Sequence, residues 1–377
     1  MVGPINETFF KYMKFAVTKE ALLEGLQRIQ NVVSTRSTLP VLTNALLETS
    51  KTGLRLTTTD LEVSVRCEVA AQVEKPGATT LPARRLSAIV RELPASEVTI
   101  ETDAKNISTL RCGSSFFKIY GLPKEEFPPF PSFKDAKVYT IRQSELKSGL
   151  RRTSYAISVD ETRYVLNGIL FSFKENKLTL VATDGRRLAL FDSDLEFPHS
   201  HERDFIVPTK AVTELQRLLG EEGEIQIAVS ENLVSFELNG SQLVSKLVEG
   251  NYPNYRQVIP GEAKERVTIE REALLNSVRR VSLLSNDKTS SVRLSFSRNN
   301  LDITANTPEV GEAREALAVV YRGRDFSIAF NPEFLMDPLR NLPSDEIHLE
   351  LIDEMSPGVI KINTPFLYVL MPMRVSV

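Results

Sequence analysis

The chain of 377 residues has no tryptophan, two cysteines and three histidines. Cys67 and Cys112 alone cannot build a disulfide framework, which fits a reducing cytosol. His199, His201 and His348 are too few for a metal cluster, and the first two sit in a polar loop; no metal is expected. There is no run of 18 apolar residues and no secretory leader pattern, so the expected location is cytoplasmic. No glycine-rich phosphate loop or serine elbow is present, and Thr183-Asp184-Gly185 reads as a turn. Neither a catalytic residue nor a cofactor is therefore expected. No recognition helix, zinc-finger spacing or stacking-aromatic motif is present, which excludes a sequence reader of nucleic acid.

What is present is repetition. Glu20-Ala21-Leu22-Leu23-Glu24-Gly25-Leu26 resembles Ser144-Glu145-Leu146-Lys147-Ser148-Gly149-Leu150, and both resemble Glu272-Ala273-Leu274-Leu275-Asn276-Ser277-Val278. Gly25, Gly149 and Ser277 are spaced by 124 and 128 residues. A second helix family starts at Leu81-Pro82-Ala83-Arg84, Val207-Pro208-Thr209-Lys210 and Phe330-Asn331-Pro332-Glu333, with prolines 126 and 124 residues apart. Proline is tolerated there because the first-turn N–H has no helical partner. Alternating strands follow each helix. The pattern is cleanest around Tyr139–Phe191: a strand at 138–142, a helix at 143–153, strands at 164–173 and 177–181, and the Asp184-Gly185 turn into 187–191. The expectation is six βαβββ units, two per repeat, in an α+β fold of three similar domains. The bounds are 13–132, 138–260 and 266–377, with 1–12 as an N-terminal extension.

The net charge of −3 hides a segregation. The segments 19–30, 83–93, 143–153, 209–219, 271–282 and 332–341 together carry +6, leaving −9 for the rest. Arg84, Arg85 and Arg91 lie on one helix, Lys147, Arg151 and Arg152 on the next, then Lys210 and Arg217, then Arg279 and Arg280. For one helix alone, a solvated outer face explains such charges. For six repeated helices, a shared surface facing a polyanion explains them too, because repetition places them in one environment. Lysine and arginine supply phosphate attraction without base readout.

A ring makes that shared surface concrete. With helix axes about 8–10 Å apart, six helices close on almost no hole. Twelve leave a hole of roughly 20–28 Å, and eighteen about 36–47 Å. Two chains therefore suit duplex DNA.

Several motifs carry a family resemblance in order: Met13-Lys14-Phe15, Leu39-Pro40-Val41-Leu42, Thr59-Asp60-Leu61-Glu62, Arg163-Tyr164-Val165-Leu166-Asn167-Gly168, Val181-Ala182-Thr183-Asp184-Gly185, Ser245-Lys246-Leu247-Val248 and Met371-Pro372-Met373-Arg374. Over residues 13–375 the chain resembles the β subunits of bacterial DNA polymerase III, the sliding clamps. The resemblance implies the DNA clamp fold, with helices lining a ring and sheets outside. It implies a head-to-tail homodimer around duplex DNA that tethers the replicative polymerase, without catalysis. It also implies short-peptide contacts with the clamp loader and repair polymerases.

Site residues follow from the same resemblance. Arg36, Arg84 and Tyr164 match DNA contacts, while Asp160 stands where the family has a glutamine. For peptides, the matching positions begin with Arg163, Leu166, Thr183, Gly185, Arg187 and Leu188, beside Arg186. They continue with Pro253, Val258, Asn331 and Ser356, and end with Met371, Pro372, Met373 and Arg374. Leu166, Leu188, Val258 and Met371 suit an apolar slot, and methionine adapts to several ligands. Read without the resemblance, Leu370–Met373 is an ordinary edge strand. Phe117 and Ile119 match one side of the dimer seam, and Leu283 and Leu284 the other, with Glu309 and Glu312 nearby. The alternative kept open is a peptide-binding scaffold of the same fold that never encircles DNA.

Overall fold

The computed structural model describes residues 13–33, 39–133, 135–285, 291–308 and 310–374. Six α-helices lie among them: α1 (Lys19–Ile29), α2 (Ala83–Glu92), α3 (Gln143–Thr153), α4 (Thr209–Leu218), α5 (Arg271–Val281) and α6 (Pro332–Asn341). One strand precedes each helix and three follow it, with Gln72–Lys75 as an extra strand, so the βαβββ unit occurs six times. The extension 1–12 and the loop carrying Arg36 lie outside the described residues, as do Glu309 and 375–377.

Local chemistry explains where the helices begin. Thr18 accepts from the Ala21 amide at 3.3 Å at the start of α1. At α5, the Glu270 carboxylate accepts from Glu272 and Ala273 at 3.2 and 2.9 Å. The Asn331 side chain does the same for Glu333 and Phe334 at α6, with Pro332 in the first turn. Each satisfies amides that the helix itself cannot.

The first compact unit holds residues up to 143 together with 213–247. It contains a five-stranded sheet, in the order Gln72–Lys75, Met13–Thr18, Glu97–Thr102, Ile107–Cys112, Ser115–Tyr120. Its eight-stranded sheet runs Lys137–Arg142, Glu224–Val229, Leu233–Leu238, Ser241–Lys246, Val63–Val69, Gly53–Thr59, Asn44–Ser50, Ala78–Pro82. Leu22, Leu26 and Ile29 of α1 are fully buried. Gly25 permits the close approach of that helix, because a Cβ there would lie 2.5 Å from Val69 Cγ2.

The second unit holds 144–212 and 248–377. Its eight-stranded sheet runs Arg203–Pro208, Gly168–Lys174, Lys177–Thr183, Arg187–Asp194, Phe366–Leu370, Gly358–Lys361, Glu346–Leu351, Glu265–Glu270. A four-stranded sheet runs Gly311–Ala318, Asn300–Thr307, Val292–Ser297, Phe326–Phe330. Both eight-stranded sheets join strands of two sequence repeats. Ser241–Lys246 pairs with Val63–Val69, and Phe366–Leu370 with Arg187–Asp194.

One expected element differs. The strand placed at 164–173 begins only at Gly168, and Glu161–Leu166 forms a 3-10 turn. Asp160 imposes it: the carboxylate accepts from the Thr162 amide at 3.0 Å and from Arg163 Nε at 3.1 Å. The Ser158 amide then closes the loop on the Leu166 carbonyl at 3.1 Å.

Candidate functional site

The helix cations divide by partner. Arg84, Arg85, Arg91, Arg151, Lys210, Arg217 and Arg279 are exposed, and Lys147 is half-buried. Arg217 and Arg28 line one cleft of about 230 Å³ in the first unit. Arg28 was not singled out in the sequence; its charge is matched by Glu24 at 2.6 Å. Arg280 grips Glu315 with both arms, the Nη2–Oε2 distance being 2.6 Å, so its charge is compensated. Arg152 stacks over Phe191 at 5.3 Å and reaches Thr364 at 3.2 Å; burial pulls its pKa down. Tyr164 projects from the 3-10 turn, 58% exposed. The Asp160 carboxylate beside it is engaged by Thr162 and Arg163, which hold its pKa below the ordinary carboxylate value.

The second unit assembles most of the peptide candidates. Thr183 Oγ1 donates to the Arg187 carbonyl at 2.6 Å and accepts from the Gly185 amide at 3.1 Å. Gly185 has φ +85°, and a Cβ there would lie 2.7 Å from Arg163 Nη1, so glycine is required. That Nη1 donates to the Asp184 carbonyl at 3.2 Å. Pairing of Leu188 with Val369 brings up the C-terminal strand, whose Met371 amide donates to the Arg186 carbonyl at 3.0 Å. The Met373 amide donates to Ala329 at 2.7 Å, two residues before Asn331. Leu188 belongs to an apolar cluster with Leu170, Val181, Ile206 and Val369, covered by Tyr252, Tyr255 and Ile259. Pro253 and Val258 are exposed along that covering segment, and Met371 is 45% exposed. Leu166 is buried, Arg186 and Arg374 exposed. Ser356 is held by Asp353, its hydroxyl donating at 2.8 Å.

Arg187 is placed differently from a surface contact. Its side chain is 9% exposed and paired with Asp184 at 3.0 Å and Asp337 at 2.5 Å. Nη2 donates to the Tyr155 carbonyl, and the guanidinium stacks on Phe334 at 4.2 Å. Burial alone would lower its pKa; Tyr368, Asp337 and Asp184 more than offset that and raise it.

At the seam candidates, Phe117 is 36% exposed and Ile119 buried, on the edge strand Ser115–Tyr120. Leu283 is 77% exposed, and the Leu284 carbonyl accepts from Thr307 Oγ1 at 2.6 Å. Phe116 and Tyr120, exposed on the same edge strand, were not singled out. The signal was there: Ser-Phe-Phe-Lys-Ile-Tyr is apolar on both faces of a strand, which suits a strand covered on both sides.

Family models place this arrangement. Residues 13–131 match the N-terminal domain of the DNA polymerase III β subunit, 140–254 its central domain and 256–374 its C-terminal domain. The chain belongs to the DNA polymerase III β-subunit family. Its function is that of a DNA sliding clamp, a processivity factor of replication without catalysis of its own. Beta sliding clamps of Chlamydia muridarum and Escherichia coli K12 are both 36% identical to it, over 96% of this chain and 99% and 100% of theirs. A sliding clamp of Bartonella birtlesii, solved bound to griselimycin, superposes with a TM-score of 0.92 at 37% identity, covering 97% of this chain and 100% of that one. The Bacillus subtilis clamp gives the same TM-score and coverage at 29% identity. The fold is thus the three-domain sliding-clamp fold, and the sites to be explained in this β subunit are binding surfaces.

Proposed function

We propose that two copies of this chain close head to tail into a ring around duplex DNA. The observation that carries this reading is a pair of unpaired sheet edges. Ser241–Lys246 and Phe366–Leu370 each end a βαβββ unit, and each pairs with the last strand of another unit, Val63–Val69 and Arg187–Asp194. Ser115–Tyr120 and Gly311–Ala318 hold the same two positions in their own units, yet each ends its sheet among the described residues. Open edges invite pairing with another chain. Joining the first edge to the second edge of another copy repeats the pairing found twice within the chain. It covers Phe117 and Ile119 from one side and Leu283 and Leu284 from the other, and a heterologous contact of this kind forms a ring where its rotation closes. Two copies supply twelve helices and a hole of roughly 20–28 Å.

The exposed helix cations then meet phosphates without reading bases. Arg36, Tyr164 and the cations from Arg84 to Arg280 form that surface in this reading. The turn 183–188, the tail 371–374 and Pro253, Val258, Asn331 and Ser356 receive short linear peptides of the replicative polymerase, the clamp loader and repair polymerases. The domains run 13–132, 138–260 and 266–377, and the protein works in the cytoplasm. Loading onto nicked circular DNA, followed by linearisation, tests the ring. Retention on circles at raised salt and loss on linearisation are expected, with a solution mass of two chains. A monomer at working concentration, or equal retention on both DNA forms, sinks the proposal.

A further inference from the structure

The first repeat carries a counterpart of the sheet face beside the central repeat's candidate peptide site, built from the same strands. In the central repeat the rows of the sheet run Leu170, Val181, Leu190. In the first they run Leu46, Thr57, Arg66. The turn beside each row is made the same way. Asp184 accepts from the amides of Arg186 and Arg187 at 2.9 and 3.1 Å, and Asp60 from those of Glu62 and Val63 at 2.9 and 2.7 Å. The following segment is tied down at Ile206–Val248 in one repeat and Thr80–Leu122 in the other. In both it then lies beside the sheet and leaves a cavity, about 350 Å³ by Tyr252–Arg256 and about 360 Å³ by Phe127–Phe130. The latter volume is at the lower end of ligand sites.

Chemistry separates the two. Where the central row is apolar, the first repeat has Arg66. Its guanidinium stacks on Phe130 at 4.3 Å and is half-buried, with no hydrogen-bond acceptor among the described residues. Burial and then the neighbouring Arg55 press its pKa down. Arg55 is already matched, its Nε lying 2.6 Å from Glu68. Glu68, Glu237 and Glu48 act on Arg66 from a distance, but none hydrogen-bonds it among the described residues, so its fork of five N–H donors is open to a ligand. Lys124, at the same cavity, has no carboxylate within ion-pair distance among the described residues either, while Glu48 stands opposite Arg55 and Glu125 lies beside Lys124. Phe127, Pro128, Pro129 and Phe130 make an apolar wall. The cavity is on the face away from α1, because Cys67 next to Arg66 points at Gly25 and side chains alternate along a strand. A ligand there does not compete for the helix cations.

We propose that this outer groove of the first repeat binds an acidic linear peptide of a protein partner. A carboxylate takes the Arg66 fork in bidentate fashion, and an aromatic or leucine side chain rests on the wall from Phe127 to Phe130. The open Arg66 fork argues for the acid, and the groove between the sheet and the segment Phe127–Phe130 argues for an extended chain; the comparison of repeats rests on reading the central one as a peptide site.

The test uses the full chain and a fluorescein-labelled Glu-Asp-Leu-Phe-Asp peptide, followed by anisotropy. Arg66→Met should weaken binding at least tenfold, and Arg66→Lys should recover part of it. Glu125→Gln should strengthen binding, and Arg163→Ala should leave it within twofold, since that residue serves the other site. A Gln-Asn-Leu-Phe-Asn probe should bind at least tenfold more weakly than the acidic one. Thermal melting first establishes that each variant is folded. No saturable binding to the native chain, or an unchanged affinity in folded Arg66→Met, overturns the proposal. So does a loss with Arg163→Ala as large as with Arg66→Met, which would assign the probe to the other site.

Discussion

Single residues decide how the second unit's candidate site divides between groups that hold it together and groups open to a ligand. Arg187 and Arg163 flank the same turn, but their surroundings differ. Arg187 is buried between two carboxylates, whereas the side chain of Arg163 is 49% exposed, with Asp160 as its one ion-pair partner among the described residues. Arg187→Met should therefore cost about 3–5 kcal/mol, because Asp184 and Asp337 are left without their counter-charge. Lysine should recover only part, since it cannot fork between them. Arg163→Ala should cost at most about 1 kcal/mol in stability, as exposed pairs do. In return it should weaken binding of a leucine- and phenylalanine-containing polymerase peptide. Urea midpoints and peptide titrations separate the two effects; equal destabilisation by both variants would contradict this division. The turn at 183–188 was legible in the sequence because Asp-Gly acts locally. The burial of Arg187 was not, since Asp337 is 150 residues away and leaves no local pattern.

At the scale of elements, periodicity carried the reading well where packing agrees with it. All six helices stand within about one residue of the expected bounds, since each has an apolar stripe and a defined start. It failed at Tyr164–Leu166, an apolar-rich stretch read as strand, because the deciding event is Asp160 capping a 3-10 turn. Two variants test how the elements are seated. Gly149→Ala gains helix propensity in α3 but drives a methyl group to 2.6 Å from Phe191 and 2.7 Å from Leu180, both buried. Overpacking of that kind costs about 1–3 kcal/mol and should lower the melting temperature. A rise in melting temperature would mean that the helix shifts freely on the sheet. Deleting 371–377 removes the two backbone bonds to Arg186 and Ala329, together with the side chains of Met371, Met373 and Arg374. In a folded deletion variant, peptide affinity should fall at least tenfold, about 1.4 kcal/mol. Unchanged affinity would place partner docking on another surface.

For the whole molecule, the threefold repeat was legible, but the joining of repeats was not. Offsets near 125 residues are written in side chains. The pairing of Ser241–Lys246 with Val63–Val69 is a backbone event between strands far apart in sequence, and β-propensity does not choose partners. The same blindness applies to the two open edges, whose meaning appears only when the equivalent junctions are compared. Leu283 gives the sharpest test of that comparison. At 77% exposure it contributes little to the folded chain, so its truncation should leave the melting temperature of a monomer almost unchanged. If it is covered by the first repeat of a second copy, full burial is worth about 1.5–3 kcal/mol. A two-chain ring contains that contact twice, so Leu283→Ala should cost about 3–6 kcal/mol of dimerisation, roughly 10²–10⁴-fold in the dimer dissociation constant. Leu284→Ala is a poorer probe, because that side chain already lies 3.7 Å from where a Cβ of Gly311 would be, and its loss perturbs the chain itself. Leu283→Asp should separate the chains further, since it would bury an unpaired charge. Sedimentation across a dilution series reads both variants directly. An unaltered dimer in Leu283→Asp would show that Gly311–Ala318 and its flanking loop are not the seam, and that the open edges are capped in some other way.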